Sequence, residues 1–131
     1  MNESEILSAI RKALGREADL VLWRLSQGGA MAREGGQTYR AGLSVNGAAD
    51  LVGILTVVVD DEPSGLGGPR VGGWAIGRFF ALEVKSARGR QSAAQVLWGN
   101  LVRKRGGFYA VARSVAEAQA ALERARRGER E

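Results

Sequence analysis

The sequence predicts a mixed α/β domain in which a central sheet carries helices on its faces. Three observations predict this class. Two stretches repeat apolar residues at helical spacing, a serine capping box opens a third helix, and residues 49–60 form an apolar run rich in β-branched side chains. The predicted elements also follow the order α-β-β-β-β-α-β-α. A length of 131 residues fits a single domain over 1–131.

The first half of the chain is predicted to hold one helix and three strands. Apolar residues recur at helical spacing over residues 3–14, and Gly15 is placed to end that helix. A glycine-rich loop is predicted at 27–37, between the first two strands. The strands of this half are predicted at 20–26, 38–42 and 49–60.

The second half begins with a glycine-rich hairpin insertion at 61–77, which contains both prolines of the chain. Residues 74–86 are predicted to form one interrupted strand or two consecutive strands. Ser92 is the predicted N-cap of a helix over 92–105. A strand at 108–114 follows, and a capping box from Ser114 to Glu117 opens a helix over 115–127. The apolar stripe of the 92–105 helix is predicted to comprise Ala94, Leu97, Trp98, Leu101 and Val102.

The composition excludes several kinds of chemistry. The chain has no cysteine and no histidine, so disulfides, thiolate or imidazole metal sites and Ser–His or Cys–His catalysis are impossible. Catalysis must use carboxylates, Lys, Tyr, Ser or a metal held by oxygen ligands. The start of the chain shows neither a signal peptide nor a membrane span, so we expect a cytoplasmic protein without a membrane partner.

The positive charge of the chain is unevenly distributed. The formal net charge is +5, and no Asp or Glu occurs between Lys85 and Arg113, a stretch with seven basic residues. A block of one sign predicts a polyanionic partner, most simply nucleic acid, and the alternative is a solubilising surface. The residues that we expect to contact DNA phosphates are Arg24, Arg40, Arg88, Arg90 and Lys104.

Glu83 and Lys85 are unexpected in the strand "RFFALEVKS". Side chains alternate along a strand, so both share a face with Phe79 and Ala81. A buried carboxylate and ammonium without partners would cost on the order of several kcal/mol. Asp50 lies at the start of another apolar strand, and two adjacent strands could bring it to Glu83. Converging carboxylates are the ligands that Mg²⁺ or Mn²⁺ prefers.

The pattern of a strand Asp followed by Glu-x-Lys resembles the PD-(D/E)XK nuclease superfamily. Nearly the whole chain is similar in sequence to phage- or bacterium-type VRR-NUC domains. The segments that carry this similarity are "ESEILSAIRKAL", "GAADLVGIL", "FFALEVKSARGRQSAAQVLWGNLVRKRGG" and "YAVARSVAEA". The resemblance implies a restriction-endonuclease-like fold, a mixed central sheet flanked by helices. The large number of residues between the Asp and the Glu-x-Lys sequence is attributed to the insertion at 61–77.

The resemblance also assigns roles to residues. Asp50 and Glu83 would bind the metal together with the backbone carbonyl of Val84. Lys85 would be the catalytic lysine, and Gln95 would face the site from its helix. Mg²⁺ or Mn²⁺ is the implied cofactor.

The first helix supplies a further acid in this resemblance, and two residues compete for that role. Glu3 fits the spacing of the family through Ile6 and is expected on the inward face of the helix, where it could reach the metal through water. Glu5 faces more to the side. Asn2 and Glu5 also form an N-cap and N3 pair, so either glutamate could instead serve the start of the helix.

Three functions follow as hypotheses. The first is a Mg²⁺-dependent, structure-selective DNA endonuclease, specifically a Holliday-junction-type resolvase that acts as a homodimer or higher oligomer in a bacterial or phage-infected cell. The second is a non-catalytic nucleic-acid-binding module on the same fold. The third is a nuclease that acts on other DNA or RNA structures.

Overall fold

The structure is a computed structural model that describes residues 1–25, 30–34, 37–41, 46–59 and 74–131. The helices are α1 (Glu3–Leu14), α2 (Ala93–Lys104) and α3 (Val115–Arg126). The strands are β1 (Leu20–Arg24), β2 (Ala30–Glu34), β3 (Gln37–Ala41), β4 (Leu51–Val59), β5 (Trp74–Val84) and β6 (Phe108–Ala112).

The main sheet has four strands in the order β1-β4-β5-β6. β1 pairs with β4 and β4 with β5 in antiparallel fashion, whereas β5 and β6 run parallel. The β5–β6 connection contains α2, as a crossover between parallel strands requires. Since Leu51 pairs with Leu82, the residue before β4 lies beside the residue after Leu82. The register therefore brings Asp50 next to Glu83.

The helices cover the two faces of this sheet unequally. α1 and α3 pack together on one face, over a core that includes Leu51, Phe80 and Leu82. α2 packs on the other face, where Val52 and Tyr109 form a second, smaller cluster. The mixed α/β class with a helix-flanked sheet is thus observed.

The alternation predicted for "RFFALEVKS" is also observed. Phe80, Leu82 and Val84 point into the core under α1 and α3. Ala81 belongs to the cluster under α2. Glu83, two residues further along β5, therefore faces α2.

The three predicted helices are present, and local capping explains their limits. Asn2 caps α1 in a capping box with Glu5, and Gly15 follows its last turn. Ser92 caps α2 in a capping box with Gln95. Ser114 caps α3 by accepting a hydrogen bond from the Glu117 N–H.

Several sequence predictions are corrected by the structure. The sequence predicts a loop at 27–37, yet β2 lies within these residues and pairs with β3. The Glu34–Gln37 pair leaves a Gly-Gly dipeptide between the strands in the sequence, which favours two-residue hairpins. Residues 74–84 form one uninterrupted strand. Of the predicted insertion at 61–77, residues 61–73 lie outside the described part of the chain.

The apolar stripe of α2 is less buried than its sequence predicts. Val102 is buried, whereas Leu97 and Leu101 are exposed. The reason is that α2 turns Gly99 and Val102 towards β6, and the two leucines lie on its flank. Among the described residues, no helix has the length and apolarity needed to cross a membrane.

Candidate active site

Asp50 lies directly before β4 and accepts hydrogen bonds from two backbone N–H groups. Its backbone carbonyl accepts a hydrogen bond from the Leu25 N–H at 2.8 Å. Its Oδ2 accepts a hydrogen bond from the Val84 N–H, also at 2.8 Å. These contacts join β1, β4 and β5 around one carboxylate. They fix the carboxylate of Asp50 beside the end of β5.

Glu83 is a buried carboxylic acid, only 1% exposed. Burial, and then the negative charge of Asp50, raise its pKa to about 8, and the ammonium of Lys85 opposes that rise. Among the described residues, no donor reaches Glu83 Oε2, and while Glu83 keeps its proton the acid shares a hydrogen bond with the carboxylate of Asp50. An orphaned buried oxygen beside a second carboxylate fits a site for a cation, because the cation would satisfy the oxygen and remove the repulsion.

Lys85 lies two residues beyond Glu83 and on the same face of β5. Its Nζ is 3.5 Å from Glu83 Oε1, and its side chain is largely buried. The stem of Lys85 runs against Gly89, where a Cβ would lie 3.4 Å from both Cβ and Cδ of the lysine. The ammonium is therefore held at the carboxylate of Glu83 rather than free in solvent.

Gln95 reaches the same carboxylate from the first turn of α2. Its Nε2 donates to Glu83 Oε1 at 2.9 Å. Its Oε1 accepts from the Ser92 N–H at 2.8 Å, which is one half of the capping box. The cap thus orients the amide, and its N–H group points at the acid.

Tyr109 is hydrogen-bonded to the segment that carries Gln95. The sequence did not predict a role for this tyrosine. The buried phenol accepts a hydrogen bond from Gln91 Nε2 at 2.7 Å and donates a long one to the Gln95 carbonyl at 3.5 Å. Burial, and then the charge of Glu83, raise the pKa of Tyr109 to about 12, so the phenol keeps its proton. In the sequence, an aromatic residue in a short strand looks the same whether it packs in the core or supports a site.

Gly99 lets α2 approach Tyr109 closely. A Cβ at this position would lie 2.5 Å from Cε1 of the tyrosine ring. We expect Gly99→Ala to lower the free energy of unfolding by about 1–3 kcal/mol, because α2 must move away from β6. Chemical denaturation measures this change in stability.

Gly99→Ala combined with Tyr109→Leu provides the control for that prediction. The smaller side chain relieves the clash, so the double variant should be more stable than the sum of the two single changes predicts. Strict additivity would contradict the close approach.

The two glutamates of α1 do not join the pair. Glu3 is exposed, so its expected position on the inward face is wrong, and Ile6 is the first residue of α1 that is buried. Glu5 accepts a hydrogen bond from the Asn2 N–H in the cap. Among the described residues, no three acidic side chains converge in a way that could hold a metal ion. The role of the Val84 carbonyl stays a prediction.

The basic residues fall into two groups. Some are engaged in the fold: Arg78 donates to the Gly106 and Ala125 carbonyls, and Arg103 donates to the Tyr109 carbonyl. Others are exposed and make no ion pair with any described residue. These exposed residues are Arg11, Lys12, Arg16, Arg24, Arg88, Arg90, Lys104, Arg105 and Arg130.

Arg88 and Arg90 are the exposed arginines nearest to Lys85 in the sequence. They lie in the loop that follows Lys85, and Arg113 binds this loop by donating to the Ser86 and Gly89 carbonyls at 2.5 and 2.6 Å. Arg24 pairs with Leu51 in the sheet register, on the face opposite Glu83. The side chain of Arg40 lies outside the described part of the structure.

Comparisons of the chain with protein-family models, with curated proteins and with solved structures returned no match. The geometry around Glu83 therefore carries the functional interpretation. That geometry combines two neighbouring carboxylates, an ammonium and an amide at the end of one strand.

Proposed function

We propose that the protein is a Mg²⁺- or Mn²⁺-dependent nuclease of restriction-endonuclease-like fold. One observation carries the proposal: Glu83 is buried beside Asp50 with one unsatisfied oxygen, and Lys85 lies 3.5 Å from its other oxygen. The order of helices and strands supports it, since Asp50 precedes one strand and the Glu-x-Lys sequence ends its antiparallel neighbour.

The donor set fits a hard divalent cation. Mg²⁺ in proteins is bound by one or two carboxylates and completes its shell with water and substrate oxygens. Asp50 and Glu83 would hold the ion, and the carbonyl of Val84 is a further proposed ligand. When bound, the ion would supply a Lewis acid and a bound water of lowered pKa for phosphodiester hydrolysis.

The other residues of the site bind and orient. The Val84 N–H fixes the rotamer of Asp50, and the Gln95 amide fixes that of Glu83. The ammonium of Lys85 would stabilise the negative charge that grows on the phosphate during attack. Arg88 and Arg90 would bind backbone phosphates next to the scissile bond.

DNA is the proposed substrate, and a four-way junction is the specific form. In this proposal two copies of the chain form a homodimer or part of a higher oligomer, because paired sites could cut opposed strands of a symmetrical junction. The proposed location is the cytoplasm of a bacterial or phage-infected cell.

The test incubates labelled branched DNA with purified protein in Mg²⁺ and, separately, in EDTA. We expect cleavage with Mg²⁺ alone, and no cleavage by Asp50→Asn. Glu129→Gln, which changes an exposed carboxylate near the C-terminus, serves as the matched control and should cleave like the wild type. Equal cleavage by wild type and Asp50→Asn would overturn the proposal, as would cleavage that persists in EDTA.

The exposed arginines favour a second candidate, a binding module without catalysis. In either case we expect Arg88→Ala and Arg90→Ala to weaken DNA binding. Each change should also reduce the slope of log K against log salt by about 0.9 for every phosphate that the variant no longer neutralises. Arg127→Ala, far along the chain and paired with Glu129, should leave the slope unchanged. Fluorescence anisotropy at several salt concentrations measures it.

The nuclease and the binding module differ in how DNA binding and cleavage respond to a substitution of Glu83. A binding module predicts that Glu83→Gln leaves DNA binding intact and that no metal supports cleavage. A panel of junctions, flaps, linear ends and RNA addresses the third hypothesis, a nuclease with another substrate. Uniform preference for four-way junctions would remove that hypothesis.

A further inference from the structure

One half of the sheet face that carries α2 is apolar, and no described helix covers it. Val21 and Trp23 of β1, Ile54 of β4 and Phe79 of β5 lie on this face and are between 41% and 62% exposed. We call these four residues the open sheet face. The register places Val21 opposite Ile54 and Ile54 opposite Phe79, so three of them form a row across adjacent strands.

The uncovered area follows from the dimensions of the elements. A helix with its side chains is about 10 Å wide, and four strands about 4.8 Å apart are nearly twice as wide. Two helices cover the other face, whereas α2 packs over β6 and the adjoining part of β5. Among the elements that the structure describes, no helix therefore packs on β1 and β4 on this side.

The sequence of these strands does not suit a face in contact with water. Sheets with one solvated face alternate apolar and polar residues, but β1 reads "LVLWR" and β4 reads "LVGILTVVV". The exposed Leu97 and Leu101 of α2 extend the apolar surface, and Leu101 lines a cavity together with Phe79 and Trp98. The strands are thus built to be covered on both faces.

The segments between the described ranges offer little apolar material for this cover. The segments outside the described ranges are rich in Gly, Ser, Asp and Pro. Their large aliphatic side chains are Leu43, Val45, Leu66 and Val71. A second copy of the chain, by contrast, carries the same apolar surface and would bury both surfaces at once in a two-fold interface.

We propose that the open sheet face, together with Leu97 and Leu101, binds the same face of a second copy of this chain. The exposed apolar surface of these six residues is on the order of 600 Å², close to the roughly 800 Å² that each partner buries in a standard interface. It also reaches the upper end of what a monomer leaves exposed as one patch, about 300–600 Å². This inference rests on packing and does not depend on nuclease activity.

Ile54 and Ile76 provide a matched pair for the test. Both are 46% exposed, but Ile76 shares the face of Phe80, on the opposite side of the sheet. Because the chain has no cysteine, Ile54→Cys and Ile76→Cys each carry a single thiol. The experiment measures thiol labelling rates of the two variants, without metal or DNA, over a range of protein concentrations.

We expect Ile54→Cys to react at least about tenfold more slowly than Ile76→Cys at high concentration, and the difference to disappear on dilution as the dimer dissociates. Protection of Ile54→Cys that does not change with concentration would overturn the proposal, because the chain itself would then cover the face. Equal labelling at every concentration would also overturn it.

Sedimentation gives a second measurement that does not depend on a thiol. Wild type and Ile76→Glu should sediment as dimers and Ile54→Glu as a monomer with a native circular dichroism spectrum. If Ile54→Glu does not fold, the labelling experiment still decides. A monomeric wild type at tens of micromolar, or a dimeric Ile54→Glu, would contradict the proposed face.

Discussion

The metal-free protein should lose several kcal/mol of stability as the pH rises from about 4.5 to about 8. Burial and the charge of Asp50 raise the pKa of Glu83 from 4.5 to about 8 in the folded state. Within that window the folded protein binds a proton that the unfolded chain has released. The free energy of unfolding then falls by up to about 1.4 kcal/mol per pH unit.

Urea denaturation at several pH values, with EDTA present, measures this decrease. Glu83→Gln provides the control, because its neutral amide does not titrate. We expect this variant to be more stable than the wild type at pH 8 and similar to it at pH 5. The addition of Mg²⁺ at pH 8 should stabilise the wild type and leave Glu83→Gln unchanged. If the free energies of unfolding of the two proteins changed with pH in parallel, the pKa of Glu83 would not be raised in the folded state.

Lys85→Met should lower the rate of DNA cleavage by about 10²–10⁴-fold, because the variant lacks the ammonium that would face the developing phosphate charge. The methylene stem is preserved, so packing against Gly89 should persist. Binding of DNA and of metal should change little, since the proposed metal ligands are untouched. Single-turnover assays with saturating protein isolate this effect from binding.

Lys104→Met is the matched control for Lys85→Met. Lys104 is exposed at the end of α2, so its replacement should affect salt-dependent binding and leave the cleavage rate within about twofold of wild type. Cleavage by Lys85→Met within tenfold of wild type would remove the lysine from the proposed chemistry.

The position of the Asp50–Glu83 pair could be predicted from the sequence because strand alternation is a local rule. Two charges beside Phe79 and Ala81 on one face of a strand required a partner, and the antiparallel register of β4 and β5 supplies Asp50. The prediction for Gln95 came from the resemblance, and the capping box with Ser92 explains why Gln95 lies in the first turn of α2.

Other features depend on tertiary packing, which a single sequence does not display. Glu3 is the first residue of α1 and is exposed, and Ile6 is the first residue of α1 that is buried, so the helical period alone does not predict where burial begins. The apolar flank of α2 looks like a core stripe until the position of Gly99 against Tyr109 is known. β2 is not evident in the sequence because glycines on both sides of "AMARE" favour a loop as readily as a hairpin.

The most direct test of the account is calorimetric titration of Mn²⁺ or Mg²⁺ into the metal-free protein. We expect binding by the wild type and by Glu129→Gln, and no binding by either Asp50→Asn or Glu83→Gln. Binding that survives in both site variants, or no binding by the wild type at millimolar metal, would contradict the claim that Asp50 and Glu83 together hold a divalent cation.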